Sequence, residues 1–237
     1  MAGVERGWGM IVLDLFAGTG SATQAFEDAG HRVVKVELDP RHVADFWCDV
    51  GLLTPADLLW MCGGKPDFIW ASPPCTAFSV ASLGHHWGGG KKAYLPKTMK
   101  ARHSIALVAH VITLIQAVNP TYWLMENPLG VLRKLPVVQG LTRWTTAYCQ
   151  YGDTRQKRTD LWGVMPDGFA LKPVCKSGSP CHEAAPAGSK TGGTQGIKGT
   201  INRSRVPYGL SVAVRDAVTK AEQTANTTSG ETLQADS

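Results

Sequence analysis

The chain has 237 residues, 43% of them hydrophobic and 18% charged, and a formal charge of +5. That composition supports a packed core and excludes wholesale disorder, and the length suits one α/β domain with a small appendage, or two small domains. With Glu222, Glu231 and Asp236 set aside, residues 1–220 carry +8, a basic body that permits a polyanionic partner.

Residues 1–9 read as a flexible leader with no secretory signal. Reduced thiols at Cys48, Cys62, Cys75, Cys149, Cys175 and Cys181 and a cytoplasmic location are therefore expected. Ile11–Leu15 is an apolar run ending at Gly18 and Gly20, which predicts a buried strand and a tight turn. Ser21–Ala29 predicts a helix stopped by Gly30, and Arg32–Glu37 a second strand. Pro40 opens a predicted helix to about Trp47, and Thr54-Pro55 another to Met61. Asp67–Ala71 predicts a strand running into Ser72-Pro73-Pro74-Cys75.

Ser79–Lys97, with four glycines and no apolar period, predicts a mobile loop. Thr98–Val118 predicts a long helix. Its longest apolar run, Ile105–Val118, falls short of the roughly 20 residues of a membrane span, so no membrane association is expected. Strands are predicted at Thr121–Glu126, Trp144–Gln150 and Thr159–Val164, an irregular insert at 165–204, a helix at Val206–Lys220 and a disordered tail at 221–237. The strand–helix alternation implies a mostly parallel sheet covered on both faces.

Three strand ends carry chemistry. Asp14-Leu15-Phe16-Ala17-Gly18-Thr19-Gly20 lets a ligand approach the backbone closely, but Thr23 stands where a dinucleotide fingerprint needs glycine. Glu37, 19 residues after Gly18, can accept from ribose hydroxyls. The pair fits a nucleoside ligand without a pyrophosphate, of which S-adenosylmethionine is the common example. Asp49, after Phe46-Trp47-Cys48, can accept from an adenine amino group.

Pro73-Pro74 fixes the backbone ahead of Cys75. Enzymes that methylate exocyclic amines carry an aromatic residue there. A thiol points instead to covalent catalysis, because C5 of cytosine is not nucleophilic until something adds at C6. Glu126, in Glu126-Asn127-Pro128, can hold the base N3 and exocyclic amine and supply a proton. Arg155, Lys157 and Arg158 can hold a phosphate or the base O2. Lys91, Lys92, Lys97, Lys100 and Arg102, with no acid between Val80 and Ile105, suit a loop closing over a phosphate backbone. Lys172, Lys176, Lys190, Lys198 and Arg203 make the insert basic as well. Cys175-x5-Cys181-His182, with Cys149, can hold a structural zinc.

In their order along the chain, the Asp-Leu-Phe-Ala-Gly-x-Gly turn, Glu37, Asp49, Pro-Pro-Cys, Glu-Asn-Pro, the basic segment 151–159 and a closing helix resemble the DNA cytosine-5 methyltransferases, compact bacteriophage-type members in particular. The likeness spans most of residues 10–165, plus 203–220. It implies a Rossmann-like S-adenosylmethionine-dependent methyltransferase fold: a mostly parallel seven-stranded sheet, helices on both faces, an antiparallel strand near one edge and a small recognition insert. It implies a catalytic domain over 10–164, closed by a helix at 205–220. Cys75 would be the nucleophile and Glu126 the acid that holds the base, with Lys157 and Arg155 beside them. S-adenosylmethionine would be held by Phe16, Ala17, Gly18, Thr19, Gly20, Glu37, Leu38, Asp49 and Pro74, with Ser211 near its methionine carboxylate.

Three motifs depart from the family pattern. Pro128 replaces a valine, Lys157 and Thr159 stand where arginines are usual, and Leu210 takes the place of an asparagine. Duplex DNA is the expected partner, acting on a monomer with no catalytic metal. A tRNA cytosine-5 methyltransferase and a non-catalytic DNA-binding relic are the competing readings. An insert of about 40 residues suits a recognition site of a few base pairs.

Overall fold

A computed structural model describes residues 9–187, 193, 194 and 196–234. The leader at 1–8, Lys190, the last three tail residues and the side chains of Lys91 and Lys92 lie outside what is described.

The strands are β1 (Ile11–Leu15), β2 (Arg32–Glu37), β3 (Phe46–Trp47), β4 (Phe68–Ala71), β5 (Trp87–Gly88), β6 (Leu95–Pro96), β7 (Tyr122–Pro128), β8 (Thr142–Ala147) and β9 (Arg158–Val164). The helices are α1 (Gln24–Asp28), α2 (Pro55–Cys62), α3 (Leu83–His86), α4 (Gly90–Ala93), α5 (Met99–Val118), α6 (Thr200–Ser204) and α7 (Tyr208–Gln234). Seven strands form one sheet in the order β3-β2-β1-β4-β7-β9-β8. The first five run parallel, and β9 lies antiparallel between β7 and β8. This is the Rossmann-like architecture implied by the motifs, with its antiparallel strand near one edge.

Strand alternation sorts the side chains into two cores. Ile11, Leu13, Leu15, Ile69, Ala71 and Met125 pack with Leu58 and Met61 of α2 and Val108, Val111 and Ile115 of α5. Val12, Phe68, Trp70, Leu124 and Leu161 face the other way, toward Phe26 of α1 and Leu210, Val214 and Val218 of α7. Helix α2 begins as its sequence dictates: Thr54 and Asp57 form a reciprocal capping box, Pro55 opens the first turn, and Gly63 closes it with φ +65°. Helix α5 is long and apolar enough to cross a membrane by length and composition. Ala101, Val108, Val111 and Ile115 on it are nevertheless buried, as in a core helix.

Four segments differ from their sequence reading. No helix follows Pro40: Asp39 accepts from Arg41 N at 3.0 Å, His42 N closes a single turn on the Asp39 carbonyl at 3.1 Å, and Asp45 exchanges bonds with the Lys35 backbone, which leads the chain into β3. Residues 79–97 are not a bare loop. They contain α3, α4 and the β5–β6 pair, anchored by buried Trp87, which stacks on Phe78 and donates to the Ala77 carbonyl at 2.6 Å. The predicted strand Trp144–Gln150 breaks after Ala147 into a 3-10 turn over Tyr148–Tyr151. Helix α7 runs through Lys220 to Gln234, in a stretch where Ala221, Glu222 and Gln223 are good helix formers.

Gly163 permits the antiparallel join. A Cβ there would lie 2.0 Å from the Trp123 carbonyl oxygen and 2.9 Å from its carbon, inside the β7–β9 ladder. Gly163→Ala is expected to cost about 2–3 kcal/mol, read as a lower urea midpoint at an unchanged m-value.

Candidate active site

The sheet order reverses direction between β1 and β4, and the crevice at their carboxyl ends is where ligands bind in such sheets. After Leu15 the chain turns through Phe16, Gly18 and Gly20 at φ +64°, +53° and +71°. Ala17 N donates to the Val36 carbonyl at 3.1 Å, and Gly20 N to the Ala17 carbonyl at 2.8 Å. Glu37 spans the gap at the end of β2. Its Oε2 accepts from Gly18 N at 2.8 Å, and its Oε1 from Leu38 N at 2.8 Å and Asp39 N at 3.0 Å. Asp49 follows β3, which is paired to the end of β2, and its Oδ1 caps Gly51 N at 2.9 Å. Thr19 bonds Ser21 at 3.1 Å. The turn and two carboxylates thus share one rim. A Cβ added at Gly18 would meet nothing closer than the Phe16 carbonyl oxygen at 4.0 Å, so it would project into the crevice. Backbone bare of side chains, flanked by acceptors, fits the nucleoside part of S-adenosylmethionine.

Ser211 is fully buried in α7, and its Oγ accepts from Ala25 N in the first turn of α1 at 3.1 Å. Asp14 is also fully buried, on the α1–α7 face of β1. Thr23 donates to its Oδ2 at 2.7 Å, while its Oδ1 lacks a partner. Burial raises its carboxyl to about 7 against the Thr23 hydrogen bond, which lowers it.

Cys75 reaches the same crevice from β4. Ser72 N donates to the Leu15 carbonyl at 3.0 Å, which sets Pro73-Pro74-Cys75 beside the glycine turn. Phe78 N and Ser79 N then donate to the Cys75 carbonyl at 2.9 and 3.1 Å and curl the chain back. Burial pushes the Cys75 thiol up from its ordinary range; the Glu126 carboxylate adds to this, and Lys157 and Arg203 oppose it.

Glu126 lies near the end of β7, directly across from β4. Its Oε1 accepts from Tyr148 Oη at 2.9 Å and Thr159 Oγ1 at 3.3 Å, with Lys157 Nζ at 3.7 Å. Lys157 also sits 4.4 Å over the Tyr148 ring. The structure therefore brings Cys75, Glu126 and Lys157 together. Arg155 is not brought there: its guanidinium pairs with Glu183 at 2.8 Å and donates to the Ala184 carbonyl at 2.7 Å, turning to the insert. The reason is local, since the residue after Gln156 reaches Tyr148 while Arg155 forms a bridge to Glu183.

Two members were not read from the sequence. Tyr148 gave no signal, because its hydroxyl meets Glu126 only once β8 and β7 are brought side by side of β9. Asn127 was visible in its motif, but its clamp, Nδ2 donating to the Pro73 carbonyl at 2.9 Å, was not. Away from the crevice, Cys149, Cys175, Cys181 and His182 offer four ligand atoms within 4.8 Å of one another.

Comparison with known proteins gives the family. A family model for C-5 cytosine-specific DNA methylases matches residues 10–135, more than half of the chain, and the protein belongs to that family. It is 29% identical over 229 residues to a probable DNA (cytosine-5)-methyltransferase of Frog virus 3 (isolate Goorha), covering 87% of this chain and 99% of that one. A structure described as a DNA modification methyltransferase encoded within an E. coli prophage superposes with a TM-score of 0.49 at 17% identity, over 91% of this chain and 69% of that chain. The Dnmt2 methyltransferase of S. pombe gives 0.44 at 17% identity, over 70% and 52%. The fold assignment rests on the strand order itself.

Two pH effects follow. The folded value of Asp14, about 7, lies above its unfolded 3.8, so the native state holds an extra proton between them and loses stability as pH rises through that window. The loss amounts to about 4 kcal/mol at most, and Asp14→Asn should flatten it in urea melts taken from pH 4 to 8. Alkylation of Cys75, followed by peptide mass spectrometry, should have its midpoint above that of free cysteine. Glu126→Gln removes a negative neighbour and should lower that midpoint, while Lys157→Met should raise it.

Proposed function

We propose that the protein methylates C5 of cytosine in duplex DNA through a transient bond between Cys75 and C6 of a base turned out of the helix. The observation that carries this reading is the meeting of Cys75, Glu126, Tyr148 and Lys157 beside the glycine turn. The net positive charge of residues 1–220 supports a polyanionic substrate.

S-adenosylmethionine, when bound, supplies the methyl group. Phe16 to Gly20, Glu37, Leu38, Asp49 and Pro74 would hold it. Ser211, whose oxygen caps α1, would act from behind by fixing α7 against α1. Cys75 Sγ, as thiolate, bonds to C6, and the C5–C6 electron pair moves onto C5. Glu126 has Oε1 occupied by Tyr148 and Thr159, which leaves Oε2 to face N3 and the exocyclic amine. Lys157 balances the charge that builds beside Glu126 and can reach the base O2. After methylation, C5 gives up its proton to a base and the returning electron pair expels Cys75. The raised thiol requires that proton removal accompany attack. Arg155 is assigned to bracing the insert through Glu183.

With S-adenosylmethionine present, duplex DNA containing 5-fluorocytosine should trap a covalent adduct with the unaltered protein and none with Cys75→Ser. The variant should still bind S-adenosylmethionine by calorimetry. Absence of an adduct with the unaltered protein would favour a binding-only relic, and faster methylation of tRNA than of duplex DNA would change the substrate. Glu126→Gln should slow turnover about 10²–10⁴-fold.

A further inference from the structure

The insert has little to hold it. Residues 166–187 contain no helix or strand and bury few side chains. Apolar contact is confined to its start, where Phe169 and Leu171 pack on the α1–α7 core and Phe169 stands edge-on to Trp144 at 5.2 Å; its further ties are polar: Lys172 N to Tyr151 Oη at 2.7 Å, Thr146 Oγ1 to the Lys172 carbonyl at 2.7 Å, and the Arg155–Glu183 pair. At one point, however, four metal-ligating atoms converge. Cys149 Sγ lies 3.3 Å from Cys175 Sγ and 3.9 Å from Cys181 Sγ, and His182 Nδ1 lies 3.6 and 3.4 Å from those two sulfurs.

Zinc bound at about 2.3 Å to sulfur and about 2.0–2.1 Å to nitrogen, in tetrahedral geometry, sets edges of about 3.8 Å between sulfurs and about 3.6 Å from sulfur to nitrogen. The four distances straddle those values, and all six cysteines are free. The odd sequence spacing is explained too: one ligand comes from the turn after β8 and three from the insert, so no standard pair of neighbouring motifs is needed. We propose that Cys149, Cys175, Cys181 and His182 bind one zinc ion that fastens the insert to the turn behind Glu126.

The surroundings suit this. Gln156 Nε2 donates to Cys175 Sγ at 3.1 Å and to its carbonyl at 2.8 Å, and Gln150 Nε2 donates to Cys181 Sγ at 3.5 Å. Such outer donors orient and stabilise metal-bound thiolates. Gly178 N points at His182 Nε2 at 3.2 Å. With Nδ1 on the metal, Nε2 carries the ring proton, and that N–H must turn away. Each thiol gives up a proton as the ion binds, while the neutral imidazole coordinates through its Nδ1 lone pair. Cys149 directly follows Tyr148, and Gln156 directly precedes Lys157, so the ion sits one residue along the chain from two groups that hold Glu126. This last link rests on the role proposed for Glu126; the metal site does not.

The test is the metal content of the full chain purified without a histidine tag. One zinc per chain is expected, replaceable by cobalt with the intense absorption of tetrahedral thiolate coordination. Cys181→Ser should lose it, Cys181→His should keep it and Cys48→Ser should leave it unchanged. Gln156→Ala should weaken zinc affinity about 10–100-fold. A chain without bound metal, or a cobalt spectrum indifferent to Cys181→Ser, overturns the site. If Cys181→Ser fails to fold, release of the metal by a mercurial in step with modification of three thiols decides the same question. Stripping the zinc should weaken duplex DNA binding while leaving S-adenosylmethionine binding intact. Undiminished DNA binding would overturn the fastening role while leaving the metal site and the proposed chemistry standing.

Discussion

The hydrogen bond from Asn127 to the Pro73 carbonyl holds this site together. It joins the ends of β4 and β7, two parallel neighbours whose next residues diverge into different loops. One end carries the thiol and the other the carboxylate. Two prolines stiffen the first, and the β7–β9 ladder stiffens the second. Without the clamp, Cys75 would ride on a loop while Glu126 stayed in the β7–β9 ladder, and their separation would depend on the motion of that loop.

The clamp brings an unfavourable pair close. A thiol, which the proposed reaction would use ionised, lies beside a carboxylate, and both are partly or largely withdrawn from water. Lys157 relieves some of this, from a position where Tyr148 fixes it by ring and hydroxyl at once. Burial and the neighbouring carboxylate both favour the protonated thiol, and Lys157 works against them. Elsewhere, the salt bridge of Arg133 with Asp160, shared with Thr145, binds β8 to β9 and so keeps Tyr148 in reach.

The same reasoning sets the place of the insert. It is too short and too polar to form a core of its own, so its order comes from Phe169 and Leu171 packing on the α1–α7 core and from polar ties to β8, the following turn and the segment before β9. Those are the elements that carry Tyr148, Gln156 and Lys157. Whatever the insert contacts is therefore mechanically close to the carboxylate, whereas the nucleoside rim at β1, β2 and β3 lies on the other side of Cys75.

Elements and motifs whose determinants are local were legible in the chain. Apolar runs, Thr54-Pro55, the glycine turn and Pro-Pro-Cys fix short-range geometry, and they locate the strands, α2 and α5, and the thiol at a strand end. Reading failed where partners are distant or compete. Asp39 and Asp45 captured backbone that Pro40 suggested would become a helix, and buried Trp87 organised a segment that its glycines suggested would be loose. Tyr148 and the Asn127 clamp could not be read, because each exists only across strands far apart in sequence. The sequence determined which chemical groups stand at which strand ends, since that follows from local pattern. The tertiary structure alone decided that Lys157 and not Arg155 reaches Glu126, because the bridge to Glu183 turns Arg155 to the insert while Lys157, two residues on, enters the crevice.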